Sequence, residues 1–158
     1  MNIRSIQKKD NIQIANVIRE VLIELKVPKV GTAYSDPQLD FMFETYDDPK
    51  SIYLVIEHEG TILGGAGIKQ LENETKKVCE LQKMYVLSKV RNFGLGGQLI
   101  EKCLQNAIIF GFENCYLETM PNMEAAQKLY QKMGFKYITS PLGNTGHTSC
   151  PIWMLKKL

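Results

Sequence analysis

Apolar residues recur at two different spacings along this chain, and the switches between them mark out its elements. Residues 2–6 read as a first strand. Ile14, Val17, Ile18, Val21, Leu22 and Leu25 then fall three and four residues apart, the period of a helix with one buried face. Asp10 can cap that helix with Gln13 completing a capping box, and Pro28 and Gly31 end it. Asp36-Pro37 marks a second helix start, a side-chain cap followed by proline in the first turn. Its apolar face is Leu39, Met42, Phe43 and Tyr46, and Asp47-Asp48-Pro49 stops it. Strand patterns follow at 51–57 and 62–71, joined by a hairpin turn near Glu59-Gly60, and a third long strand runs over 76–87. Residues 97–110 return to the helical period, with Leu99, Ile100, Cys103, Leu104, Ala107 and Ile108 on one face and Gly111 as the stop. A strand at 113–119, a helix at 122–133 ended by Gly134, and closing strands at 137–138 and around 152–155 complete the chain.

The strand–helix–strand unit from 78 to 119 is a parallel crossover, whereas the earlier meander is antiparallel. Together they predict an α/β (α+β) domain: a mixed, mostly antiparallel sheet with helices on both faces. At 158 residues the chain is read as one domain, 1–158, able to bury roughly 70% of its unfolded surface.

The most informative stretch joins the third strand to the helix after it: Arg91-Asn92-Phe93-Gly94-Leu95-Gly96-Gly97. A glycine-rich turn that opens a helix presents backbone N–H groups at the helix's positive end, where phosphate oxygens bind. The spacing excludes two common phosphate loops. A dinucleotide fingerprint needs glycine at position 99, which is Leu99, and a Walker loop needs Lys-Ser/Thr after a glycine, where Gly96 is followed by Gly97-Gln98. What remains, Arg91-x-x-Gly94-x-Gly96, resembles the pyrophosphate loop of the GCN5-related N-acetyltransferases (the GNAT family). Downstream, Met123-x-x-Ala126-x-x-Leu129-Tyr130-x-x-x-Gly134-Phe135 is similar to that family's second signature, a short helix carrying a tyrosine and ending in Gly-Phe. The order of elements matches as well, so the resemblance covers nearly the whole chain. Two positions depart from the pattern. Many members have Asn where this chain has Met123, with Asn122 one place early, and members often have Gly where this chain has Asn92.

The resemblance implies a pair of adjacent parallel strands that splay apart to admit an acyl-pantetheine arm, with acetyl-CoA as cosubstrate. It implies main-chain pairing of the pantetheine with the strand segment Met84, Tyr85 and Val86. It places Arg91, Asn92, Phe93, Gly94, Leu95, Gly96 and Gly97 around the pyrophosphate, with Asn122 and Tyr130 completing the cofactor site. Tyr130 matches the family's general-acid tyrosine, and Glu80, eleven residues before Arg91, stands at the spacing of the glutamate base in histone-acetylating members.

The residues themselves fit that chemistry. Acetyl transfer from a thioester needs a neutral amine, although a free alkylammonium has a pKa of about 10.4. The departing thiolate, whose thiol has a pKa of about 8.5, benefits from a proton donor. A tyrosine with a pKa near about 10 stays protonated at neutral pH and can serve. Glu80 falls on the third strand, where Glu80, Gln82, Met84 and Val86 share one side if no bulge intervenes. His147, in the glycine-rich run 143–147, is another candidate base, water a third, and Gln82 a candidate substrate contact. Nothing in the sequence places the Cys150 thiol beside a base. Asp36 could hold a cationic substrate or merely cap a helix.

Composition narrows the partners. Hydrophobic content of 44%, charged content of 23% and a net charge of +2 are those of an ordinary globular protein and make no case for nucleic acid or an anionic membrane. No run approaches the roughly 18 apolar residues of a membrane span. The N-terminus lacks the features of a signal peptide, and four cysteines without a Cys-x-x-Cys pair suit reduced thiols in a cytoplasm. With only two histidines, no metal site is expected. The expected partner is a small-molecule or peptide amine, and an exposed sheet edge or the C-terminal strand is compatible with a homodimer. Two functional classes stay open: an N-acetyltransferase that works by direct attack, and a non-catalytic acyl-CoA-binding regulatory protein.

Overall fold

The computed structural model describes all 158 residues. Its strands are β1 (Asn2–Ser5), β2 (Ile52–His58), β3 (Thr61–Gln70), β4 (Val78–Val86), β5 (Asn114–Thr119), β6 (Lys136–Ile138) and β7 (Ile152–Lys157). They form one sheet in the order β1-β2-β3-β4-β5-β7-β6. Every neighbouring pair is antiparallel except β4 and β5, which run parallel. The helices are α1 (Asn11–Glu24), the short α2 (Met42–Thr45), α3 (Leu95–Ile109) and α4 (Glu124–Lys132).

Consecutive residues Tyr53, Leu54, Val55 and Ile56 of β2 are all buried, which requires cover on both faces of the sheet. α1 packs on β3 and β4, and α3 packs on β2, β3 and β4. The apolar stripe that predicts α1 is buried as expected at Ile14, Val17, Ile18, Val21 and Leu22, and that of α3 at Leu99, Ile100, Cys103, Leu104 and Ala107. Ile108 instead faces solvent, one step past the edge of the stripe.

Three local expectations differ from the fold. The Asp10 carboxylate does not cap α1. It accepts hydrogen bonds from the Arg4 guanidinium at 2.7 and 3.1 Å and from the Gln7 N–H, and the capping box is Gln7–Asp10. Gln13 reaches the β2–β3 turn, donating to the Gly60 carbonyl and accepting from the Ile62 N–H. The second helix begins where expected, with the Asp36 carboxylate accepting from the Gln38 N–H. It runs as a 3-10 turn over Pro37–Phe41, however, and restarts as α2, because Asn11 of α1 accepts from the Phe43 N–H and donates to Glu44.

The third correction matters most for function. Gly65 stands opposite Tyr85 and Gly67 opposite Gln82, so β4 carries one residue more than β3 across that interval. Lys83, at φ 48°, is a bulged residue in the left-handed region. The bulge reverses the alternation. Glu80 and Gln82 keep one side, and Met84 and Val86 move to the other.

Candidate active site

β4 and β5 pair only over Val78–Glu80 and Asn114–Tyr116. Beyond that point both strands continue unpaired to each other, and a cleft opens between them. A cavity of about 490 Å³ occupies this end of the sheet, lined by the end of β4, the turn before α3, and α4. Met84, Tyr85, Val86, Arg91, Asn92, Gly94, Gly96, Gly97, Asn122 and Tyr130 all line it. Met123 and Leu129, quoted in the second signature, and Val21 of the α1 stripe also contribute, although none was named as a site residue. They read as ordinary helix-face residues, and only packing puts them on the cavity wall.

The turn into α3 is built for backbone contacts. Gly94 is the N-cap at φ 75°, a conformation that an L side chain strains to adopt, and α3 begins at Leu95 with its first N–H groups free of helical partners. At Gly96 a Cβ would lie 3.0 Å from the Leu129 Cδ2 and 3.4 Å from the Met84 Cε, so a side chain there would fill the cradle. Asn92 sits at φ 68°, a region that asparagine enters more readily than most residues, which accounts for its standing in place of a glycine.

Other side chains of the turn point elsewhere. Phe93 is exposed and Leu95 is buried in the core, so neither lines the cavity and only their main chain is available to a ligand. The Arg91 guanidinium forms a bidentate pair with Glu24 at 2.7 and 2.9 Å, and its Nε donates to the Val86 carbonyl. Asn122 donates to the Leu25 carbonyl at 2.8 Å. These side chains tie the cavity rim to the end of α1.

Tyr130 is 6% exposed and packs edge-on against Phe135, with ring centroids 6.1 Å apart. Its hydroxyl makes no hydrogen bond to the protein, yet no buried polar side-chain atom is left without a partner. The hydroxyl therefore opens onto the cavity. Burial pushes its pKa up to about 12, so it holds its proton at neutral pH.

A second, polar cavity of about 660 Å³ is lined by Glu80, Gln82 and Lys83 of β4 together with Asp36, His147 and residues of the loops around them. β4 thus serves both cavities: residues before the bulge face the polar one, and residues after it face the apolar one. Glu80 is 3% exposed. Burial raises its carboxyl pKa to about 7, opposed by the hydrogen bond that Gln82 donates to it. Gln82 in turn accepts from the Tyr46 hydroxyl at 2.8 Å, which fixes the amide's orientation. Lys83, which no sequence pattern singled out, is almost fully buried with its ammonium 3.0 Å from the Asp36 carboxylate. Asp36 is therefore both a cap and a cavity residue.

His147 reaches the wall of the polar cavity, and burial lowers its pKa. Cys150 does not stand alone as expected: its sulfur, the His147 ring and the Glu118 carboxylate lie within 4.8 Å of one another. Burial pushes the thiol up to about 11.

A sequence model of the acetyltransferase (GNAT) family matches residues 18–135. The chain belongs to the GNAT family. It is 41% identical over 157 residues to the uncharacterised N-acetyltransferase YjgM of Escherichia coli strain K12, covering 98% of this chain and 93% of that protein. The fold agrees with solved structures. A GNAT-family acetyltransferase from Staphylococcus aureus Mu50 superposes with a TM-score of 0.87 at 20% identity, over 99% of this chain and 98% of that one. A PaiA N-acetyltransferase from Thermoplasma acidophilum, solved with coenzyme A, gives 0.78 at 18% identity, over 99% and 98%. The mixed sheet with its splayed parallel pair is the GNAT fold, and the protein is an acyltransferase. No helix is long and apolar enough to cross a membrane.

Proposed function

We propose that this GNAT protein transfers an acetyl group from acetyl-CoA to a primary amine by direct attack. Tyr130 is the general acid and Glu80 the general base. The observation that carries the reading is the position of β4 between two cavities of opposite character. On one side lie the free N–H groups of α3 and an unpartnered tyrosine hydroxyl. On the other lies a buried carboxyl whose pKa is close to neutrality.

The turn from Asn92 to Gly97 holds the pyrophosphate through main-chain N–H groups, with the helix's positive end adding a favourable field. The room above Gly96 fits such a group, since a single Cβ there would close it. Met84, Tyr85 and Val86 follow the bulge in the part of β4 that has lost its parallel partner. The main-chain groups on the edge that faces away from β3 bind the pantetheine amides, apart from the Val86 carbonyl, which the Arg91 Nε already holds. The thioester then lies within reach of Tyr130. Asn122, already bound to Leu25, shapes the rim beside it.

The acceptor amine enters from the polar cavity. With Asp36 paired to Lys83 and Asp48 to Lys69, the remaining carboxyl groups of Glu72 and Glu80 favour a cation there. Glu80, about half ionised at neutral pH, accepts a proton from the ammonium directly or through water, which frees the nitrogen lone pair for attack. The Tyr130 hydroxyl donates its proton to the departing sulfur.

Steady-state kinetics with acetyl-CoA and a panel of primary amines, read by release of free thiol, tests the scheme. Intersecting initial-velocity patterns are expected. Parallel patterns refute direct attack, and tight CoA binding without turnover on any amine returns the protein to the regulatory class.

A further inference from the structure

We propose that Glu118, His147 and Cys150 form a binding site for one transition-metal ion of the zinc class. The site shares the His147 wall of the polar cavity with Glu80 and uses none of the groups assigned to acetyl transfer.

Topology brings the three together. Glu118 is near the end of β5, and the β5–β7 ladder ends where Thr119 meets Ile152. The turn His147-Thr148-Ser149-Cys150 immediately precedes β7, so it arrives beside the last residues of β5. The donor atoms of Glu118, His147 and Cys150 then lie within 4.8 Å of one another. Metal–ligand bonds of about 2.0–2.3 Å let three such atoms close around one ion with small side-chain rotations.

The surroundings hold the ligands in place. The Tyr116 hydroxyl donates to the Glu118 Oε1 at 2.7 Å, and the Thr145 hydroxyl donates to the Oε2 at 2.6 Å. Hydroxyls on both oxygens orient the carboxylate and leave lone pairs on each. The Thr145 Oγ1 also accepts from the His147 N–H, and the Cys150 N–H donates to the His147 carbonyl, which sets the His-x-x-Cys turn. The Ser149 N–H donates to the Gly31 carbonyl and pins the turn to the opposite loop. No protein hydrogen bond claims the His147 ring. All three residues are half-buried, so an ion can reach them.

Donor chemistry selects the ion. On binding, the ion displaces the Cys150 thiol proton to solvent, and the thiolate, one imidazole and one carboxylate form a three-ligand set for zinc that leaves a fourth position for water. Calcium and magnesium prefer all-oxygen sets and are not expected. The other cysteines, Cys79, Cys103 and Cys115, are buried in the core, so a metal–thiolate signal can come only from Cys150.

Cobalt(II), added to the metal-free full-length protein, is the probe. One equivalent is expected to give a thiolate charge-transfer band and the visible bands of a tetrahedral ion, both abolished by one equivalent of zinc. Zinc is also expected to raise the thermal midpoint. Cys150→Ser removes the charge-transfer band, while His147→Ala and Glu118→Gln each weaken cobalt binding at least tenfold, with far-UV circular dichroism unchanged. No band at micromolar cobalt overturns the proposal. So does a band that persists with equal affinity in both His147→Ala and Glu118→Gln, since the thiol would then be acting alone. The titration reads the ion directly, so its failure is distinct from a failure of acetyl transfer.

Discussion

Replacing Glu80 with Gln should make the protein more stable at alkaline pH while removing the proposed base. The folded-state pKa of Glu80 is about 7, raised from an ordinary value of 4.5 chiefly because 3% exposure denies the carboxylate its hydration. Between those two values the native state keeps the proton and the unfolded state has already lost it. Stability therefore falls as pH rises across this interval, by about 1.4 kcal/mol per pH unit, and the full loss is reached above the folded pKa. Carried from the ordinary value to the folded one, the loss amounts to roughly 3 kcal/mol. Glutamine keeps the shape and an oxygen to accept from Gln82, and it never ionises. In urea unfolding, Glu80→Gln should match the wild type at pH 4.5 and exceed it by roughly 3 kcal/mol at pH 8. In turnover, wild-type kcat/KM should rise with pH through about 7, and the variant should lose that limb. Equal stability differences at the two pH values would refute a buried, pKa-shifted carboxyl. A variant that keeps the wild-type pH–rate profile would leave Glu80 out of the proton transfer.

Four further outcomes are expected. Tyr130→Phe should lower kcat by about 10²–10⁴ with CoA affinity unchanged in calorimetry, because only the hydroxyl facing the cavity is lost. Gly96→Ala should weaken CoA binding at least tenfold, since the new Cβ would sit 3.0 Å from the Leu129 side chain at the cavity floor. The same change should move the thermal midpoint little, because the helix preference of alanine over glycine, about 1 kcal/mol, is opposed by the tight contact with Leu129. Asp10→Ala should cost about 1 kcal/mol in urea unfolding, because the Gln7 N–H loses its acceptor while Arg4 keeps Glu57 and the Ser5 carbonyl, and the wild-type share of that stability should disappear as pH falls through the lowered Asp10 pKa. Glu24→Ala should free the Arg91 guanidinium, and with it the Val86 end of β4, raising the Kd for CoA without changing the pH profile of turnover.

Much of the site was legible because its parts are local in the chain. The glycine turn's free N–H groups follow from short-range backbone geometry, the family resemblance placed the tyrosine of α4 and the strand before the turn beside them, and all three line one cavity. Helix periodicity likewise identified the buried faces of α1 and α3 before any contact was known. Side-chain direction within the turn was not legible. Phe93 faces solvent and Leu95 enters the core because of what each meets in three dimensions. The Arg91–Glu24 pair joins residues 67 positions apart, and no local pattern announces it.

The chain's own order of apolar and polar residues determined the elements, the parallel crossover and the glycine-lined helix start, since these depend on backbone geometry and periods of two and 3.6. Tertiary structure decided which side chains share a space. One bulged residue, Lys83, rotates the second half of β4 and so divides the strand between an apolar and a polar cavity. The register of β5 with β7, with the hydrogen bonds that hold the turn before β7, sets Glu118 beside His147 and Cys150. Burial, which no single residue carries in its letter, moves Glu80 close to neutrality, because a carboxylate deprived of water holds its proton longer.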